Sequence, residues 1–323
     1  MKYLKSSLKH CIYSFSKHDF KDKKDILLLA NRRGGSTWLL ELLCLDTNIR
    51  FVDQPLSIHT IPFQVINKLP IATDGQFCCP YPEQLSNIYK YIEGLQKASI
   101  RVNENWRFWR RSFWKKTNRT LFKVVHGLPM INALINNIDA QHVVFIRHPL
   151  SQANSVTNAK WEHFLYAFLN DRRYCEKYLS VENIKFAESI LHKGTMLEKF
   201  VLEWTLDKIP LHRSYEQIKK NIIFITYEEM ILYPNDVLSR LTQDLSLNNV
   251  NKMLKNINKP SRTTKLSNTK NITINNQNQL NKWKYNINVN QYRTAAKILD
   301  QFSIDFYTIN NNLPKNKYRY LCH

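Results

Sequence analysis

The stretch "NRRGGSTWLLELL" (31–43) joins the aliphatic run "DILLLA" (25–30) to an amphipathic helical pattern through two arginines, two glycines and two hydroxyl residues. A strand, a glycine-rich turn and a helix start together cradle an anion, because the free N–H groups and positive end of a helix favour phosphate or sulfate. Gly34 and Gly35 allow close backbone approach, Ser36 and Thr37 add hydroxyl donors, and Arg33 adds positive charge. A plain helix cap by Ser36 or Thr37 would need neither paired arginines nor paired glycines. The stretch lacks the Gly-Lys-Ser/Thr of a nucleoside-triphosphate loop, so the anion must be identified from the rest of the chain.

A second cluster, "RHPLSQANS" (147–155), leaves the run "HVVFIR" (142–147). Pro149 suits the first turn of a helix, which would carry Ser155 about two turns in, toward a group also reached by Arg147. A guanidinium with a hydroxyl clamps a phosphate. For proton transfer the candidates are His126 in "LFKVVHGLP", and Asp53 and His59 in "FVDQPLSIHT". Imidazole titrates near neutrality and so suits a general base. Lys123 adds a second positive contact, or a strand-end lysine that snorkels. Arg262 and Lys265 in "SRTTKLS" are basic residues of a polar loop.

The elements that position these residues are legible from periodicity. Strands are expected at 25–30, 121–125, 142–147 and 221–227, and helices at about 128–137, 150–169 and 184–219, the last breaking near Pro210. Another helix follows from Pro234, and "NQYRTAAKILDQF" closes the series. Continuous apolar strands alternating with helices mean an α/β fold with a central parallel sheet flanked by helices, which binds ligands at the carboxyl ends of its strands. Residues 53–119 are less regular and hold the Trp/Arg cluster "ENWRFWRRSFWKK", while 258–283 is Asn-rich and is expected to be a long loop.

The 323 residues, 43% hydrophobic, suffice for a substantial core. A formal charge of +21 favours anionic ligands without choosing among nucleic acid, headgroups, cofactor or polysaccharide. The six cysteines are irregularly spaced and read as reduced thiols with no metal site. No apolar run has signal-peptide or membrane-span length, so a cytoplasmic chain is expected. Leu4, Leu8, Cys11 and Phe15 recur at helical spacing, fitting a short packed helix better than a membrane-surface one.

Two motifs together resemble the sulfotransferases that use 3'-phosphoadenosine-5'-phosphosulfate (PAPS). "RGGSTW" (33–38) is similar to their 5'-phosphosulfate loop, and "RHPLSQANS" to their Arg-Asp-Pro-(x5)-Ser clamp for the 3'-phosphate. "VLEWTL" (201–206), "ITYEEMILYP" (225–234) and "WKYNI" (283–287) also resemble the family, in the expected order. The resemblance implies a P-loop-like three-layer sandwich over 25–310, with 1–24 as an N-terminal extension, 53–119 as a variable acceptor-side insertion and 311–323 as a tail. By it, Arg33, Gly34, Gly35, Ser36 and Thr37 hold the phosphosulfate, Trp38 stacks on adenine, and Arg147 and Ser155 hold the 3'-phosphate, with Arg262 and Lys265 in the loop that returns over the donor. It makes His126 the catalytic base, with Asp53 and His59 as rivals, because Gln54 stands where carbohydrate-type members carry a glutamate. Gly34 replaces the loop's usual serine and His148 the usual aspartate, and Arg33 is closer to carbohydrate-type and bacterial members. The implied acceptor is a hydroxyl of a glycan, lipid or small molecule, with no metal and no nucleic acid. A P-loop kinase or NTPase is disfavoured by the missing lysine and by Arg147 where a magnesium-binding aspartate would stand. A basic nucleic-acid-binding module is the other alternative, carried by the net charge and the Trp/Arg cluster.

Overall fold

The computed structural model describes residues 18–19, 23–70, 72, 76–102, 117–125, 127–261 and 276–322. Its centre is a five-stranded, all-parallel sheet of β1 (Asp25–Ala30), β2 (Ile49–Asp53), β3 (Arg119–Val125), β4 (Ala140–Ile146) and β5 (Ile222–Thr226), in the order β2-β3-β1-β4-β5. The continuous apolar runs are explained by burial on both faces. Leu27, Leu29, Phe122, Val124, Val144 and Ile146 point into one core, whereas Ile26, Leu28, Leu121, Val143 and Phe145 point into the other. Helices cover each face, giving three layers.

The described α-helices of five or more residues are α1 (Ser36–Leu43), α2 (Pro82–Gln96), α3 (Ile131–Asn137), α4 (Pro149–Asn158), α5 (Leu165–Leu169), α6 (Arg172–Tyr178), α7 (Val181–Lys193) and α8 (Met196–Ile218), then α9 (Tyr227–Leu232), α10 (Pro234–Asp244), α11 (Val250–Leu254), α12 (Asn276–Asn281) and α13 (Val289–Gln301). The chain leaves β1 toward β2 on one side and leaves β4 toward β5 on the other. The crevice between the ends of β1 and β4 is therefore the place where connections diverge, the usual ligand position of such sheets. Both anion motifs open there.

Several boundaries differ from the periodicity reading. β2 and α2 lie within or beside the stretch read as irregular, and α12 within the expected loop. The helix expected over 150–169 is two, because Lys160 adopts a left-handed φ of 55° and the chain turns before α5. The helix expected over 184–219 is also two. It divides at Gly194, where Thr195 and Glu198 form a capping box that starts α8, and not at Pro210, which lies inside α8. Proline removes the N–H that would bond the carbonyl four residues back, and that carbonyl, Leu206, accepts the Tyr174 phenol instead.

Residues 315–320 pack against the domain. Asp305 takes Tyr318 Oη at 2.5 Å and the ammonium groups of Lys315 and Lys317 at 3.0 Å each, and Arg240 donates to the Tyr320 carbonyl at 2.6 Å. Five described cysteines are free thiols. No described helix is long and apolar enough to cross a membrane.

Tyr174 is fully buried, so Tyr174→Phe leaves the Leu206 carbonyl unsatisfied and is expected to cost about 1–3 kcal/mol in urea unfolding. In a Pro210→Ala background the restored N–H should reduce that cost. An equal cost in both backgrounds would contradict the account of the proline.

Candidate active site

The turn after β1 is shaped by two residues in the left-handed region, Arg33 at φ 57° and Gly35 at φ 90°. Such a conformation turns successive N–H groups toward one point, and a non-glycine residue held in it carries strain typical of a functional turn. Gly35 is the N-cap of α1, with no side-chain cap. A Cβ added at Gly35 would lie 2.7 Å from the Tyr227 ring, so glycine is required there by contact as well as by φ. At Gly34 an added Cβ meets the Asn31 carbonyl at 3.1 Å and Gln152 Oε1 at 3.6 Å.

The two predicted anion motifs meet. Arg33 Nε donates to Ser155 Oγ at 3.2 Å, and Arg147 Nη1 donates to the Arg33 carbonyl at 3.2 Å. Arg147 Nε also donates to Ser151 Oγ at 2.9 Å, one turn before Ser155. Its guanidinium carbon lies 4.5 Å from the Tyr227 ring centroid. Burial and then the adjacent Arg147 charge hold the Arg33 guanidinium below the usual arginine value. The fold thus presses two like charges together, and an anion between them relieves that repulsion.

Trp38, half-buried on α1, donates its indole N–H to the Ile257 carbonyl at 2.9 Å and stands edge-on to Tyr227, with centroids 5.7 Å apart. Tyr227 in turn receives Gln279 Nε2 at 3.0 Å. Sequence reasoning named neither Tyr227 nor Ser151 as a site residue. The signal for Ser151 was present, since 147 and 151 are four apart across a helix start.

On the other side of the loop, Lys123 Nζ donates to Thr37 Oγ1 at 3.1 Å and pairs with the Asp53 carboxylate at 2.7 Å. The lysine side chain is 3% exposed and the aspartate 19%. β3 and β2 are neighbours with Asp53 opposite Lys123, so strand pairing alone brings the pair together. His59 is exposed on the turn after β2. His126, Arg262, Lys265 and the Trp/Arg cluster lie outside the described residues, as does the N-terminal helical spacing.

His148, in the place of the motif's usual aspartate, is buried. Its ring stacks on Trp283 at 4.7 Å, and its backbone N–H donates to Glu228 Oε1 at 3.0 Å. Glu228 also accepts the Tyr307 hydroxyl at 2.8 Å. Trp204 Nε1 holds the Arg147 carbonyl at 3.0 Å, so Arg147 starts from an anchored backbone.

A sulfotransferase domain model matches residues 23–302. The chain belongs to the sulfotransferase-domain family. The sulfotransferase is accordingly an enzyme that uses PAPS as donor of the sulfuryl group. No curated protein matches it in sequence. Solved structures similar to it include the mouse sulfotransferase SULT7A1 complexed with PAP, at 14% identity over 92% of this chain and 89% of that one with a TM-score of 0.43. Others are the sulfotransferase domain from the curacin biosynthetic pathway, at 14% over 87% and 98% with a TM-score of 0.45, and STF9 from Mycobacterium avium, at 15% over 87% and 77% with a TM-score of 0.42.

In the sulfotransferase, Gly35→Ala should abolish binding of 3'-phosphoadenosine-5'-phosphate (PAP) in calorimetric titration, whereas Gly34→Ser should retain it, since a serine hydroxyl there has Gln152 Oε1 as acceptor. Equal binding by both variants would contradict the loop geometry.

A pH dependence follows from the buried groups behind Arg147. Burial raises the Glu228 carboxyl from 4.5 to about 7, so the native state holds a proton that the unfolded chain has lost, and stability falls as pH rises across that window. Burial lowers His148 from 6.5 to about 3, so stability falls as pH drops below 6.5. Urea midpoints of Glu228→Gln should therefore lose less than wild type between pH 5 and pH 7, a window set by Glu228's shift. An unchanged slope would contradict burial of an ionisable Glu228.

Proposed function

We propose that the sulfotransferase moves a sulfuryl group from PAPS to a hydroxyl of a carbohydrate, lipid or small-molecule acceptor, by in-line displacement with Asp53 as general base. The observation that carries this reading is the meeting of Arg33, Ser155 and Arg147 at the crevice between β1 and β4. PAPS, when bound, supplies a sulfuryl group on an anionic phosphate leaving group.

Arg33 and the N–H groups of the turn stabilise charge that grows on the 5'-phosphate oxygen as its bond to sulfur breaks. Arg147 and Ser155, with Ser151 behind Arg147, hold the 3'-phosphate, and the family resemblance adds Arg262 and Lys265 as further candidates for it. Trp38 packs against the adenine. Lys123 faces the sulfuryl oxygens. Asp53 takes the acceptor proton as the new oxygen–sulfur bond forms.

Support for Asp53 as base comes from its position. Its carboxylate contacts Lys123, which itself bonds Thr37 of the donor loop, so Asp53 stands one side chain away from that loop. His126, the residue that follows β3 in the sequence, carries the competing reading through its likeness to the histidine of cytosolic sulfotransferases.

Transfer of labelled sulfate from PAPS to a panel of glycan, lipid and phenol acceptors tests the activity. Asp53→Asn should lower turnover by about 10² to 10⁴ while leaving PAP affinity within a few fold, and His126→Ala should remain active. The opposite pattern would assign the base to His126. Salt-sensitive RNA binding that survives Arg33→Ala, together with no PAP binding, would instead favour the nucleic-acid alternative.

A further inference from the structure

Arg32 precedes Arg33 in the loop, yet its side chain turns into the protein. Its Nη2 lies 2.9 and 2.8 Å from the two carboxylate oxygens of Glu203 on α8, and its guanidinium carbon 4.0 Å from the Phe164 ring centroid. Glu203 Oε2 also accepts the Phe164 backbone N–H at 2.7 Å. Phe164 ends the irregular segment between α4 and α5, so one buried carboxylate holds both the donor loop and this segment. The segment carries Trp161, 44% exposed, whose ring centroid lies 5.8 Å from the Arg33 guanidinium carbon.

We propose that Glu203 is a positioning residue that couples the donor loop to the Trp161 segment, so that donor occupancy at Arg33 is transmitted to Trp161. The proposal rests on the donor reading above. Arg32 contributes no charge to the donor here, because Glu203 neutralises it. Burial drives the Glu203 carboxyl toward its neutral form and Arg32 opposes this, so the two side chains act as a unit. A buried ion pair of this kind adds little net stability, and its use is to fix one arrangement of the parts it joins. The parts here are the turn that carries Arg33 and the segment that presents an indole beside it. A shift of the turn on anion binding pulls Arg32, then Glu203, then the Phe164 peptide.

The test follows tryptophan emission while PAP is titrated into the full-length chain, with the same titration of Trp161→Phe subtracted to isolate Trp161. Two variants break the coupling. Glu203→Gln leaves Arg32 unneutralised, and Arg32→Met with Glu203→Met replaces the pair by apolar side chains that suit burial. Thermal melting identifies which variants fold. Wild type should show a saturable Trp161 response, and each folded variant should lose that response and bind PAP about tenfold more weakly. Retention of the Trp161 response in either folded variant overturns the proposal, because direct contact with Arg33 would then suffice. Failure of wild type to bind PAP at all is a separate result, which overturns the donor reading itself.

Discussion

Two guanidinium groups held against each other at the ends of neighbouring strands are the constraint on which the site depends. Arg33 is there because β1 ends in a left-handed turn, and Arg147 because β4 ends beside it and Trp204 fixes its carbonyl. Arg147 closes the contact by donating to the Arg33 carbonyl. Repulsion between such groups is strong where water is sparse and falls when an anion enters. A third arginine in the same loop, Arg32, is turned away and neutralised by Glu203. The loop therefore separates its positive charge by role, with one guanidinium used to hold the structure and one presented beside Arg147.

The ionic groups around the crevice share a physical logic. Lys123–Asp53, Arg32–Glu203 and Lys208–Asp207 are all largely buried, with Lys208 at 0% and Asp207 at 2% side-chain exposure. Desolvation offsets most of the attraction in such pairs, so they are poor sources of stability and good sources of registry. Asp207 illustrates this, because it also receives Asn31 Nδ2 at 2.8 Å and thereby fixes the last residue before the donor loop. Stability rests on the two apolar layers on either face of the sheet. The polar network determines where the loop sits on them.

Most of the fold was legible because four of the five strands are mostly apolar and largely buried on both faces. β2 escaped notice: "IRFVD" is short, edge-placed and partly exposed, so it has no continuous apolar signature. That omission hid the pairing of Asp53 with Lys123, which follows from register once β2 is placed beside β3. Proline misled at Pro210, where a tertiary hydrogen bond from Tyr174 satisfies the carbonyl that proline frees. The capping box at Thr195 was the better signal and is local in sequence. Of the candidate site, the motifs singled out Arg33, Arg147 and Ser155, which the fold brings together, and did not single out Tyr227, Ser151 or Glu203. Tyr227 and Glu203 act through contacts between distant segments, which spacing does not encode.

The claim that Arg33, Ser155 and Arg147 form one divided anion site, with a place for each end of the donor, is tested most directly by a ligand lacking one end. Calorimetric titration of the wild-type chain with PAP and with adenosine 5'-phosphate isolates the 3'-phosphate. PAP should bind at least about a hundredfold more tightly, as expected for the loss of charge-assisted hydrogen bonds from a half-buried guanidinium and hydroxyl. Equal affinities for the two nucleotides would contradict the account.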